Sequence, residues 1–156
     1  MFGRLLWPIR YLRAWWQIEK YPRDMPVEQR QHAYRCCLQV VGAVSETAAF
    51  TEDTIGAAPQ RYGVYRIYEN DQLRYVGRSR QLRTRLRQHW GAAVGQYHPI
   101  PQLGDLIYSG QAQLEWYTCP RGLYSWMESC EILEMDPSWN GGKSDEEASV
   151  GISNGQ

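Results

Sequence analysis

The sequence predicts an α/β domain: a small three-stranded, mainly antiparallel sheet flanked by helices, with one or two helices added on its N-terminal side. Three observations predict it. Residues 62–68 (Tyr-Gly-Val-Tyr-Arg-Ile-Tyr) and 73–77 (Leu-Arg-Tyr-Val-Gly) are aromatic and β-branched, and the turn formers Glu69, Asn70 and Asp71 separate them, as in two strands of a hairpin. Leu82, Arg85, Leu86 and His89 recur at three- and four-residue steps, the period of one helix face. Residues 112–119 alternate in Leu114, Trp116 and Thr118, as a third strand does. With 156 residues, 43% of them hydrophobic, the chain can build one domain with its own core.

Taken in order, residues 1–20 hold three tryptophans, four basic residues and Pro8. Arg4, Arg10 and Arg13 break the apolar runs, which are too short to span a membrane. A signal peptide's continuous apolar stretch and small-residue cleavage site are absent. Such a segment suits a membrane surface, a protein partner or DNA; the preferred reading is a helix docked on the domain that follows. Residues 21–26 form a Pro-bounded turn. Residues 27–50 read as a helix with an apolar stripe of Tyr34, Cys37, Leu38, Val41 and Val44, and with His32 at the surface. Residues 51–60 read as a loop.

A hairpin turn centred on Asn70 sets Tyr65 opposite Tyr75, about 5 Å apart at Cβ, with Ile67 and Leu73 following on the same face. Ser79 can cap the next helix and Gly91 can end it. Burying an unpaired arginine is costly, so Arg85 is expected to point into a cleft that needs its charge. Residues 91–101, with His98 and two prolines, read as a mobile, substrate-facing loop. A short helix over 101–109 and the third strand follow. Residues 121–135 read as a helix bearing Trp126, Cys130, Leu133 and, on another face, Glu128, ended by Pro137. The chain thus divides into a helical extension (1–60), a core domain (61–140) and a polar, Gly- and Ser-rich tail (141–156) expected to be disordered.

Net charge is zero, but the charges are segregated. Residues 72–104 contain six arginines and no acidic residue, while residues 105–156 contain nine acidic residues against Arg121 and Lys143. A local basic zone is an electrostatic footprint for phosphates. Fifteen of the seventeen basic residues are arginine, which binds phosphate bidentately and stacks on bases, although GC-rich coding gives the same bias. Cys36, Cys37, Cys119 and Cys130 lack metal-ligand spacing and do not make a disulfide scaffold, so they read as free thiols of a reducing, cytoplasmic compartment. A secreted effector is the alternative localisation.

Gly63-Val64-Tyr65, Tyr75-Val76-Gly77 with its tyrosine ten residues after Tyr65, Arg85 and His89, and Glu128 followed nine and twelve residues later by Pro137 and Asn140 form a set. Together they resemble the core of the GIY-YIG nucleases over residues 61–140. The resemblance implies a divalent-metal-dependent endonuclease acting on DNA, or on RNA, with one Mg2+ or Mn2+ per active site held by Glu128. One carboxylate plus retained waters and a phosphate oxygen is ordinary for magnesium. Glu131, one turn on, is a second candidate ligand, although a solvated helix face is preferred for it. Arg85 would neutralise the scissile phosphate. Tyr65, Tyr75 and His89 would order or deprotonate the attacking water, with Tyr65 and His89 as rival bases and Tyr65 preferred. A phenol must fall about 3 pKa units to act as a base near neutrality, which a metal and arginines favour. Arg78 takes the place of the family's frequent lysine. Arg83, Arg87 and Asn140 complete the substrate-binding set, Asn140 with the alternative of orienting the Glu128 helix.

The compact size and the Arg85–His89 spacing lean toward a restriction, defence or standalone nuclease rather than a repair or junction enzyme. One metal site cuts one strand, so a double-strand break needs a homodimer or sequential nicks. Two readings from other classes compete: a non-catalytic nucleic-acid-binding module on the same fold, and an interaction protein whose Trp-rich N-terminus seeks a partner or membrane surface.

Overall fold

The computed structural model describes residues 22–140, so the expectations for residues 1–20 and for the tail lie outside the described residues. At its centre is the hairpin of β2 (Gly63–Glu69) and β3 (Gln72–Ser79). Asn70 and Asp71 alone make the turn, both with positive φ (49° and 62°). A two-residue hairpin turn needs that conformation at both positions, and Asn and Asp tolerate it. Glu69 therefore pairs with Gln72 and Tyr68 with Leu73, but Ile67 pairs with Tyr75, leaving Arg74 as an extra residue in a bulge. The bulge corrects the expected register: Tyr65 faces Gly77 rather than Tyr75, and Leu73 packs on the opposite face from Ile67. Arg74 is held outside the ladder by an ion pair to Glu69 (2.7 Å) and by the Trp139 ring, 5.4 Å from its guanidinium carbon.

The sheet is antiparallel throughout, as expected, but it has four strands rather than three, in the order β1-β4-β2-β3. The added strand, β1, is only Ala48–Ala49 and pairs with β4 (Ala112–Thr118). It lies within the segment expected to be helical to residue 50. That helix, α1, spans Val27–Cys37 and stops. Gly42 and several β-branched valines follow; the chain there runs along β4, with the Gly42 and Ser45 amides donating to the Thr118 and Trp116 carbonyls at 2.8 Å. Pairing with the sheet outweighs a weak helix propensity. A Cβ at Gly42 would collide with the Thr118 side chain. The expected loop at 51–60 contains a short helix, α2 (Glu52–Ala57), whose Thr51 cap accepts from the Thr54 amide at 3.2 Å, with Glu52 and Asp53 in its first turn.

Three further helices, α3 (Leu82–Val94), α4 (Pro101–Tyr108) and α5 (Tyr124–Met135), complete the domain. The expected boundaries of α3 change. Ser79 accepts from the Gln81 amide (2.9 Å) in the turn before the helix, and the helix passes through Gly91 to Val94. One apolar layer, with Tyr65, Ile67, Leu82, Leu86, Leu103 and Leu114, lies between the sheet and α3–α4. The other, with Val64, Val76, Tyr117, Trp126, Met127 and Cys130, lies under α5 and includes Met25, Ala33 and Cys37 of the extension. All four cysteines are free thiols. No described helix is long and apolar enough to cross a membrane.

Candidate active site

Tyr65, Tyr75, Arg85 and His89 are brought together by β2, β3 and α3. Alternation along the strands puts both tyrosines on the α3 face, and the i, i+4 spacing puts Arg85 and His89 above them. The Tyr65 and Tyr75 ring centroids are 6.1 Å apart, and His89 meets both rings edge-on at 5.5 and 5.9 Å. The Arg85 guanidinium lies beside both phenols, and its Nη1 donates to Gln88 at 3.2 Å. Gly77 makes this arrangement physically possible. It faces Tyr65 across the hairpin, and a Cβ there would run into the tip of the Tyr65 ring. The expected cleft is present: Arg85, Arg87, His89, Tyr97 and His98 line a cavity of about 580 Å3.

Tyr65 and Tyr75 are not equivalent. Tyr65 is fully enclosed (0% exposed), whereas Tyr75 is half-buried. Burial is the main cause of a strongly raised Tyr65 pKa; the Tyr75 phenol adds to it and Arg85 opposes it. The Tyr65 hydroxyl is 2.7 Å from His89 Nε2. His89 Nδ1 is in turn 2.7 Å from His98 Nε2, with the two imidazoles stacked at 5.0 Å. His98 Nδ1 lies 2.9 Å from the Ile100 carbonyl and 3.0 Å from the Ile100 amide. A single nitrogen cannot donate to the carbonyl and accept from the amide at once, so the chain has two proton arrangements. In one, Tyr65 donates to His89, His89 to His98, and His98 to the Ile100 carbonyl; in the other every proton is reversed. Both leave the two imidazoles neutral, in accord with His89, whose pKa burial, then Arg85 and His98, lower to about 3. Burial also lowers that of His98.

Sequence reasoning missed His98 as a site residue. Its one signal is Gly104, on α4, where a Cβ would stand 2.6 Å from the His98 Cβ. The loop thought mobile is therefore anchored at this histidine.

Glu128 stands elsewhere. It projects from α5, on the other face of the sheet, and pairs with Arg78 Nε at 3.3 Å. Arg78 also donates to Ser125 and lies over the Tyr124 ring, 5.7 Å from its centroid. Val64 faces Arg78 where Tyr65 faces Gly77, so the Arg78–Glu128 pair and the tyrosine–histidine cluster flank opposite faces of the edge strand β3. Burial raises the Glu128 pKa, and Arg78 opposes this. Among the described residues no three His, Cys, Asp or Glu side chains are grouped to enclose an ion. The donor set fits a largely hydrated Mg2+ or Mn2+ held by one carboxylate, with Arg78 giving up its weak pairing to a phosphate.

Three other expectations change. Glu131 is neither a ligand nor on a solvated face: it is 0% exposed. It accepts from Arg66 Nε and Nη2 at 2.9 and 2.7 Å, Tyr34 at 3.0 Å and Tyr117 at 2.6 Å. Asn140, expected to bind substrate, instead clamps the free edge of β3, accepting from the Val76 amide at 2.8 Å and donating to its carbonyl at 2.7 Å. These bonds tie the segment after the Glu128 helix to β3. Arg83 donates to the Ala58 carbonyl at 2.8 Å and fastens α3 to the loop before β2. Arg87 is exposed at the cleft.

Residues 61–117 match the family model of the GIY-YIG catalytic domain. Similar solved structures include the GIY-YIG N-terminal endonuclease domain of UvrC from Thermotoga maritima bound to magnesium (22% identity, 56% of this chain and 92% of that one, TM-score 0.45). A point mutant of that domain bound to its catalytic divalent cation gives 20% identity, 56% and 90% coverage and a TM-score of 0.46. None of the curated proteins compared with the chain matches it.

Proposed function

We propose that this chain, which carries a GIY-YIG nuclease domain with its family match at residues 61–117, is a divalent-metal-dependent DNA endonuclease of restriction, defence or standalone type. The observation that carries the reading is the convergence of both motif tyrosines with Arg85 and His89 in one cluster, whose Arg85 and His89 line a cleft.

Hydrolysis of a phosphodiester needs an oriented water, a route for its proton and cover for the charge on phosphorus oxygens. Arg85 is placed to neutralise that charge with paired N–H donors. Tyr75, the half-buried phenol beside it, orients the water. Tyr65, His89 and His98 lie behind and carry the proton away: as the Tyr65 oxygen accepts a proton it passes its own to His89 Nε2, and His89 passes the Nδ1 proton to His98 Nε2; His98, at the cleft wall, is left as a transient imidazolium that releases its proton to solvent. The buried phenol and imidazole stay neutral, which their raised and lowered pKa values require. Glu128 would hold Mg2+ or Mn2+, and that ion supplies charge neutralisation at the phosphate and stabilises the leaving oxygen. Cytoplasmic localisation accords with the four free cysteines.

A second reading has one observation in its favour. Glu128 is paired with Arg78 across β3 from the cluster, as suits a binding module that does not cut. Supercoiled plasmid incubated with Mg2+, Mn2+ or EDTA separates the two. The nuclease reading expects metal-dependent nicking, lost in Glu128→Ala and slowed about a hundredfold or more in Arg85→Ala. Retention of DNA without cutting by the wild type would establish the binding module instead.

A further inference from the structure

We propose that a second cleft, on the Glu128 side of the sheet, binds one nucleotide of the DNA strand flanking the bond to be cut, with its phosphate on Arg61 and Arg80 and its base on the Tyr62 ring. The proposal rests on the nuclease reading for its place in the reaction, but not for its geometry. The cleft has a volume of about 500 Å3, and its walls come from Val40 and Gly42 of the extension, the residues just before β2, the β3–α3 connection and the end of β4. A nucleotide fits within the usual range of ligand sites, about 300–1,000 Å3.

Its chemistry selects the ligand. No carboxylate lines it, and among the described residues neither Arg61 nor Arg80 forms an ion pair. Two exposed guanidiniums beside a phenol offer bidentate phosphate contacts and a stacking surface, the combination that binds nucleic acid without reading sequence. The site is also preorganised. The Arg61 carbonyl accepts from the Leu82 amide at 3.1 Å, and the Tyr62 carbonyl from the Cys119 amide at 2.8 Å. Thr84 holds Gln60 at the rim by hydrogen bonds of 2.9 and 3.2 Å. Fixed walls lower the ordering cost of binding.

The cleft connects directly to the carboxylate. Tyr62 packs edge-on against Tyr124 with centroids 5.1 Å apart. Arg80 lies beside the Tyr124 hydroxyl, and Arg78, which pairs with Glu128, lies over the Tyr124 ring. A strand with one nucleotide in the cleft would present its neighbouring phosphate to Arg78 and Glu128. The residues of the extension then form part of the substrate track rather than a mere appendage.

Titration of the 156-residue chain with thymidine 3′,5′-bisphosphate in EDTA, followed by anisotropy with a labelled oligonucleotide, tests this. Tyr62→Ala is expected to weaken both about tenfold through lost stacking. Arg61→Ala/Arg80→Ala is expected to weaken both and to flatten the dependence of DNA affinity on salt by about one phosphate contact. Glu128→Ala should abolish cleavage without weakening bisphosphate binding in EDTA, since it removes a negative charge beside Arg78. These surface changes spare the core, so loss of fold is not an expected outcome, and circular dichroism checks it. Wild-type affinity for both probes in the Tyr62 and Arg61/Arg80 variants would overturn the proposal. Cleft-dependent nucleotide binding by a protein that never cuts would overturn only the nuclease reading.

Discussion

His89 and His98 make the site's pH response predictable. Burial and Arg85 depress the His89 pKa from its ordinary 6.5 to about 3. The unfolded chain therefore takes up a proton at a pH where the folded chain does not. The stability associated with neutral His89 is complete above about pH 6.5 and is lost progressively as the pH falls toward 3; His98 acts in the same direction. Thermal melts across that window should show the decline, and His89→Gln, which cannot titrate, should flatten it. An unchanged slope would mean that other groups govern acid stability. At Gly77 the constraint is steric. An added methyl meets the tip of the Tyr65 ring, so Gly77→Ala should destabilise by about 1–3 kcal/mol, as overpacking does. Urea titrations of Gly77→Ala, Tyr65→Leu and the double variant should be non-additive, because the second change removes the obstructing ring. Tyr65, Tyr75, Arg85 and His89 were legible through the motif set they form and through the i, i+4 spacing of Arg85 and His89, whereas the shared face of the two tyrosines depends on the bulge at Arg74. The sequence could not show His98, whose place depends on a loop folding back to meet α3, nor the burial of Glu131, which depends on partners 65 and 97 residues away.

At the level of elements, α5 depends on Glu131. This buried carboxylate is satisfied by Arg66, Tyr117 and Tyr34, the last of which comes from α1. Arg30 and Gln31 add bonds to Glu134 at 2.6 and 3.0 Å. Removing one partner of a buried ion pair costs about 3–5 kcal/mol, because the other charge is left uncompensated. Glu131→Ala should therefore lower stability by that amount. Tyr34→Phe, which leaves three donors to the carboxylate, should cost about 1 kcal/mol. Chemical denaturation measures both, and equal losses would refute the ranking. Glu128 lies one turn before Glu131 on the same helix, so α1 helps to set the orientation of α5. The hairpin, α3, α4, β4 and α5 were all legible as elements because their periodicities are strong. The register and the fourth strand were not. One bulged residue, Arg74, moves every pairing beyond it, and a two-residue strand leaves no periodic trace. The valines of 40–44 fit a helix stripe as well as an extended run, and only β4 decides between them.

Across the whole molecule, zero net charge conceals a basic stretch over residues 72–104; one cleft lies along α3, and the other lies where β2 begins and β3 and β4 end. A DNA strand is expected to cross the β3 edge, with Arg85 and Tyr75 on one side and Arg78 and Glu128 on the other. Binding should then weaken steeply with salt, by nearly one logarithmic unit of affinity per unit of log salt for each phosphate contacted. Both sides are then expected to act on one phosphate. The most direct test is the rate of plasmid nicking as a function of Mg2+ concentration for the wild type, Glu128→Ala and Arg85→Ala. A saturable Mg2+ response is expected in the wild type, and no rate at any concentration in Glu128→Ala. For Arg85→Ala the expected rate is lower by about a hundredfold or more with the same half-saturating Mg2+, since that arginine stabilises charge without holding the ion. Full Mg2+-dependent nicking by Glu128→Ala would refute this arrangement and place the metal with groups other than this carboxylate.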